Sequence, residues 1–241
     1  MVSEHKKAAL VTGGAKRIGK AVALMLADCG YDIAVTYRTS EIEAQALAKE
    51  IQAMGNNAKA FKLDLFCPET IPGMLADMRS DFPGLELIVN NASIFERCEF
   101  RRSSLDDLDN NLSVHLRSPY VMVNEFAKFA EKGHVINILD SRITAVKTAY
   151  FAYLLSKKSL ADFTEMAAAV LGPAIRVNAV APGFILPPEG EADDYIAKFA
   201  EKIPAGRKGD IADVLNAVSF LLENPYVTGQ IIFADGGRHL N

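Results

Sequence analysis

Of the seven tyrosines in this 241-residue chain, only Tyr153 is followed four residues later by a lysine, Lys157. On a helix that spacing sets both side chains on one face, a turn apart. A phenol is a poor acid–base group at neutral pH, and a neighbouring ammonium favours the phenolate and brings it nearer its working range. Asp140 stands thirteen residues before Tyr153, just past the apolar run HVINIL. Asn90-Asn91-Ala92-Ser93 and Pro182-Gly183 close two other apolar runs in the same way. A tyrosine–lysine pair alone recurs by chance; its company at these run ends makes it a candidate site for proton transfer.

A second cluster suits an anion. The turn from Thr12 to Gly19, TGGAKRIG, joins the first apolar run to an amphipathic one. Glycine there lets the backbone turn sharply and approach a pyrophosphate, while the helix N-terminus offers unpaired N–H groups. The glycine pattern is incomplete, because Arg17 stands at the middle position. At the end of the next run comes Tyr37-Arg38-Thr39-Ser40, with no acid until Glu41. A free ribose 2′-hydroxyl generally meets a carboxylate at this place, whereas a 2′-phosphate prefers a cation and hydroxyl donors. The segment therefore favours NADPH over NADH.

Positioning these groups takes strands that alternate with helices. Short apolar runs predict strands at 8–12, 32–37, 58–65, 85–91, 134–139, 175–181 and 229–234. Amphipathic spacing predicts helices at 18–29, 41–54, 69–80, roughly 104–131, 150–171, 191–202 and 210–223. Continuous apolar strands separated by helices imply an α/β, Rossmann-type, doubly wound parallel sheet of about seven strands, covered on both faces. No linker or repeat divides the chain, so residues 1–241 read as a single domain. Ligands then bind outside the carboxyl ends of the strands, where Asp140, Asn91 and Pro182 fall.

Composition narrows the function further. Lysine and arginine total 26 against 30 acids, a net charge of −4, which argues against nucleic acid or an anionic lipid surface as partner. No apolar run is long enough to span a bilayer, and the N-terminus has no signal-peptide core. Cys29, Cys67 and Cys98 are unpaired in spacing, and neither they nor the four histidines suggest a metal site. A cytoplasmic protein without metal is expected.

The chain resembles the short-chain dehydrogenase/reductases over essentially its whole length, on the first turn, NNAS, YxxxK, IRVNAVAPG and the closing VTGQ and DGG. Within that family it resembles the pteridine reductases, including the bacterial dihydromonapterin and dihydrofolate reductase branch. The narrower likeness rests on the arginine of GGAKRIG, NNASIF, DGGRHLN, and Asp140 where most of the family has serine. The resemblance implies a homotetrameric, NADPH-dependent reductase of dihydropterins. Tyr153 would be the proton donor and Lys157 its activator and a ligand of the nicotinamide ribose. Asp140 would assist protonation of the pterin and orient Tyr153, and Ser93 and Phe95 would contact the ring. Arg17 would reach both cofactor phosphate and substrate, and Asp64 and Leu65 would hold the adenine. Further cofactor contacts are expected from Gly13, Ile18, Tyr37, Arg38, Thr39, Asn91, Ala92, Ser93, Pro182 and Gly183, and a substrate lid over 184–206.

Alternatives stay open at this stage. Phe95 also admits a reading as a core aromatic, and Asp140 one as a cap after its strand. The family's usual asparagine in the long helix falls on His115 in one alignment and on Asn111 in another. The rival functions are a 3-oxoacyl or other carbonyl reductase, and an NADPH-binding regulator without turnover.

Overall fold

Burial on both faces explains why the strands read as unbroken apolar runs. The structure, a computed structural model, describes residues 5–146, 148–186 and 203–240. The strands β1 (Ala8–Val11), β2 (Asp32–Tyr37), β3 (Ala58–Lys62), β4 (Leu85–Asn90), β5 (Gly133–Ile138), β6 (Ile175–Pro182) and β7 (Ile231–Ala234) are all parallel. They form one seven-stranded sheet in the order β3-β2-β1-β4-β5-β6-β7. In β1, Ala9 and Val11 join a core on one face while Ala8 and Leu10 join the core on the other. Helices α1 (Arg17–Asp28) and α2 (Glu41–Ala53) cover the first face. Helices α3 (Ile71–Asp81), α4 (Leu105–Leu112), α5 (Ser118–Ala127) and α6 (Phe151–Leu171) lie on the second. The last helix, α7 (Ile211–Glu223), packs back on α1.

The strand order reverses between β1 and β4, so the loops leaving these neighbours diverge and open a crevice at their carboxyl ends. Two elements depart from the sequence expectation. β3 pairs only with β2, whose register ends at Tyr37 opposite Lys62, so Leu63, Asp64 and Leu65 leave the sheet and turn toward the crevice. The helix expected over 104–131 is three pieces, with a widened π turn at Ser113–Arg117 between α4 and α5. Pro119 has no N–H to return to the carbonyl of His115, and its ring crowds that carbonyl. A widened turn is one way to absorb that mismatch. The expected helix at 191–202 lies outside the described residues, as does most of the expected lid.

Candidate active site

The segments that leave the carboxyl ends of the strands build the site. After β1, Gly13 has a φ of +60°, and a Cβ there would lie 2.9 Å from the Cα of Ala92. The loops after β1 and β4 therefore touch backbone to backbone. Asn91 fastens them: its Nδ2 donates to the carbonyls of Thr12 at 2.9 Å and Gly13 at 3.2 Å. Thr12 Oγ1 in turn accepts from the N–H groups of Asn91 and Ala92 at 3.0 and 3.1 Å. Arg17 adopts a φ of +53°, the left-handed region that costs a non-glycine residue about 1–2 kcal/mol. It holds at the head of α1 the conformation that a glycine would take freely.

At the far end of β2, the Arg38 guanidinium lies 4.9 Å from the centre of the Phe66 ring. That contact holds a cation beside Thr39 and Ser40 at one end of the crevice. At the other end, Tyr153 on α6 donates its phenol proton to Asp140 Oδ2 at 2.9 Å. Arg142 holds the same carboxylate through its backbone N–H at 2.8 Å and through Nε and Nη2 at 3.2 and 2.9 Å. Lys157 does not reach the phenol in this state; its Nζ donates to the carbonyl of Ile138 at 2.7 Å.

These contacts set the protonation states. Burial alone would push the Asp140 carboxyl up, but the Arg142 guanidinium and N–H outweigh it and hold the group below the usual carboxylate range. Burial, reinforced by the Asp140 charge, raises the Tyr153 phenol well above its ordinary value. Burial also pulls the Lys157 ammonium down to about 8, against the opposing pull of Asp140. The expected lowering of the phenol by Lys157 is thus reversed here: Tyr153 is a firmly protonated donor beside an ionised acceptor.

Of the two candidates in the long helix, His115 faces this centre. Its Nε2 accepts from the Ile94 N–H at 3.3 Å and lies 2.9 Å from Ser93 Oγ. Its ring meets the Tyr153 ring edge to face, with centroids 5.4 Å apart. Asn111, one turn earlier, donates instead to the carbonyl of Asp107 within its own helix. Phe95 is no core residue; it is 41% exposed and lines the crevice. One of its faces is already stacked on Tyr150, with centroids 4.4 Å apart and planes at 12°.

The crevice encloses about 650 Å³ and is lined by every residue that the sequence reading assigned to cofactor, substrate or chemistry, from Gly13 to Gly183. It is also lined by Arg142, Tyr150 and Arg238, which that reading missed, and by Phe184 at the start of the expected lid. Ser156, also missed, sits behind the site. Its position three residues after Tyr153 on one helix was the available signal. Arg142, two residues past an aspartate that ends a strand, carried the signal of a side chain folding back on a capping carboxylate. The loop at Gly13, the helix head behind it and the cation at Arg38 together fit a phosphorylated dinucleotide.

Comparison with known proteins agrees with that shape. Residues 13–239 match the family described as enoyl-(acyl carrier protein) reductase. The chain belongs to the short-chain dehydrogenase/reductase family. FolM alternative dihydrofolate reductase 1 from Brucella canis, solved with NADP, is 34% identical with a TM-score of 0.92, covering 98% of this chain and 94% of that one. The blue fluorescent protein from a metagenomic library, solved with NADPH, is 31% identical with a TM-score of 0.89, covering 96% and 97%. The 3-oxoacyl-[acyl-carrier-protein] reductase FabG of Staphylococcus aureus (strain Mu50) is 32% identical over 243 residues, which is 97% of this chain and 98% of that protein. As a member of this family the chain is an oxidoreductase.

Proposed function

We propose that this oxidoreductase uses NADPH to reduce dihydropterins. The observation that carries the reading is the Asp140 carboxylate, ionised between Arg142 and Tyr153 in a crevice that the rings of Phe95 and Tyr150 also line. An ionised carboxylate only accepts hydrogen bonds. It suits a flat heterocycle with N–H groups on its edge better than a ketone, which needs donors. The likeness to the Brucella dihydrofolate reductase supports the same substrate class, and its bound NADP supports the cofactor.

When bound, NADPH supplies the hydride. Gly13, Arg17, Ile18, Asn91, Ala92, Pro182 and Gly183 hold its phosphates and nicotinamide half, Tyr37, Asp64 and Leu65 the adenine side, and Arg38 and Thr39 the 2′-phosphate. Tyr153 gives its phenol proton to the ring nitrogen being reduced. Lys157 holds a ribose and its positive charge favours the phenolate left behind. Ser93, Phe95 and Arg17 orient the ring, and Phe184, Ile185 and Leu186 line the crevice beside it.

The rival reading is a 3-oxoacyl reductase, favoured by the 32% identity to the S. aureus enzyme across nearly the full length of both chains. A purely regulatory protein would have no use for the Tyr153–Lys157 pair. The exposed apolar side chains Tyr120 on α5 and Leu155, Met166 and Val170 on α6 suit burial against a second copy, and the proposed assembly is a homotetramer. The three cysteines stand free, which fits the proposed cytoplasmic location; no described helix is long and apolar enough to cross a membrane. NADPH oxidation measured with dihydromonapterin, dihydrobiopterin, dihydrofolate and an acetoacetyl thioester tests the substrate. Turnover of the thioester alone overturns the pterin reading.

A further inference from the structure

The Asp140 carboxylate is saturated. Oδ1 accepts the Arg142 N–H at 2.8 Å and Nε at 3.2 Å, while Oδ2 accepts Nη2 at 2.9 Å and the Tyr153 phenol at 2.9 Å. An ionised carboxylate has about four lone-pair sites, so none remains for a substrate. Three of the four bonds come from Arg142, whose guanidinium is itself seated 5.0 Å from the centre of Phe95, 5.1 Å from Tyr150 and 5.6 Å from Tyr153. Rings on that scale favour a cation and restrict its movement. The fourth bond is the one that must break when Tyr153 turns to its substrate.

We propose that Arg142 is a positioning and specificity-determining residue, which holds Asp140 as an ionised acceptor with one exchangeable site on Oδ2. As the Tyr153 phenol leaves that site to protonate the substrate, an N–H of the substrate takes its place. The substrate class is therefore a heterocycle that presents an N–H donor on the edge facing Oδ2. A simple ketone offers no donor, and Oδ2 would stay one bond short, which is costly in a buried site. The substrate half of this inference rests on the dihydropterin reading; the coupling of Arg142 to Asp140 does not.

Among the described residues, few charged or titratable groups face Asp140. Arg142 lies on its own segment, Tyr153 and Lys157 face it from α6, and Arg238 approaches from the C-terminal turn, its Nη1 3.5 Å from Ser141 Oγ. Arg142 alone forms an ion pair with it among the described residues. Without that cation, burial would raise the carboxyl and neutralise it as pH falls.

The test is the pH profile of kcat/KM for the parent, Arg142→Met and Arg142→Lys, with dihydrobiopterin and with an acetoacetyl thioester. Methionine keeps the apolar stem against the rings and removes the fork. It should introduce an acid limb, with kcat/KM for dihydrobiopterin down at least ~10-fold at pH 6 and recovering toward pH 8, while the thioester rate falls less. Lysine, which keeps the charge, should largely remove that acid limb. NADPH affinity by fluorescence titration and the thermal midpoint separate this from a damaged fold. An Arg142→Met profile with no new acid limb overturns the positioning role, and equal loss on both substrates overturns the specificity role. If the parent reduces only the thioester, the pterin reading fails, and the acid limb read on that substrate still decides the coupling of Arg142 to Asp140.

Discussion

His115 Nδ1 lies 2.9 Å from Ser156 Oγ, and the Ser156 hydroxyl donates to the carbonyl of Tyr153 at 2.7 Å. With its proton engaged, Ser156 can only accept from the ring, and the Ile94 N–H requires Nε2 to accept as well. The network thus assigns a neutral imidazole carrying its proton on Nδ1. Burial, with the Lys157 charge added, depresses the imidazolium well below the ordinary histidine range. Nitrogen NMR at pH 6 should show the neutral Nδ1–H tautomer; a protonated ring would refute the assignment. His115→Leu should slow turnover by ~10-fold or more through the unpaired Ile94 N–H and the lost wall beside Tyr153. His115→Asn, which keeps an acceptor, should recover part of that loss.

Lys157 makes a prediction on the alkaline side. Its ammonium is penalised by burial, so it loses its proton near about 8 rather than in the usual lysine range. Charge at this position is present below that pH and lost above it. The kcat/KM for NADPH, which reports on the free protein, should fall as pH rises through about 8. Lys157→Arg should carry less activity at pH 7 but no alkaline limb in that region, because a guanidinium stays charged. A limb that persists in the arginine variant would assign it to another group.

Arg38 should separate the two nicotinamide cofactors. Replacing it with aspartate removes one charge-assisted contact to a 2′-phosphate and adds repulsion, which should weaken NADPH binding by ~100-fold or more. NADH, which has no such phosphate, should bind about as before or better. Equal weakening of both in a fluorescence titration would show that Arg38 reads something other than the phosphate.

The sheet was legible in the sequence because a strand buried on both faces has no polar positions to confuse the pattern, as in AALV at Ala8–Val11. The long helix was legible in extent but not in its break. A single extra residue in a turn at Ser113–Arg117 barely disturbs the amphipathic period, although it decides that His115 rather than Asn111 faces Tyr153. The ends of the site were legible as motifs, since the Tyr153–Lys157 spacing lies within one helix. Protonation states were not. They depend on Ile138 supplying a carbonyl to Lys157 and on Tyr153 reaching Asp140, contacts that arise only when the chain end of β5 meets α6.

Asp140→Ser separates the two substrate readings and must be read with its neighbour in mind. The pair Asp140–Arg142 is largely buried, with side chains 16% and 20% exposed, so removing the carboxylate strands a cation. Breaking a buried pair from one side is costlier than replacing both partners. Asp140 contributes stability above the ordinary carboxylate range, because its folded pKa is depressed, and that contribution fades as pH falls through it. Asp140→Ser should therefore lower the thermal midpoint at pH 7 and lower it much less under strongly acidic conditions. The double variant Asp140→Ser with Arg142→Met should recover part of the loss at neutral pH. In both, kcat/KM for a dihydropterin should drop by ~10²–10⁴-fold, the usual consequence of losing one positioned acid–base group. Reduction of an activated ketone should hold or improve in the double variant, where a serine donor replaces the carboxylate and no unpaired guanidinium remains. If the double variant regains stability and still reduces dihydropterin as fast as the parent, Asp140 serves the fold alone and the carbonyl-reductase reading gains the advantage.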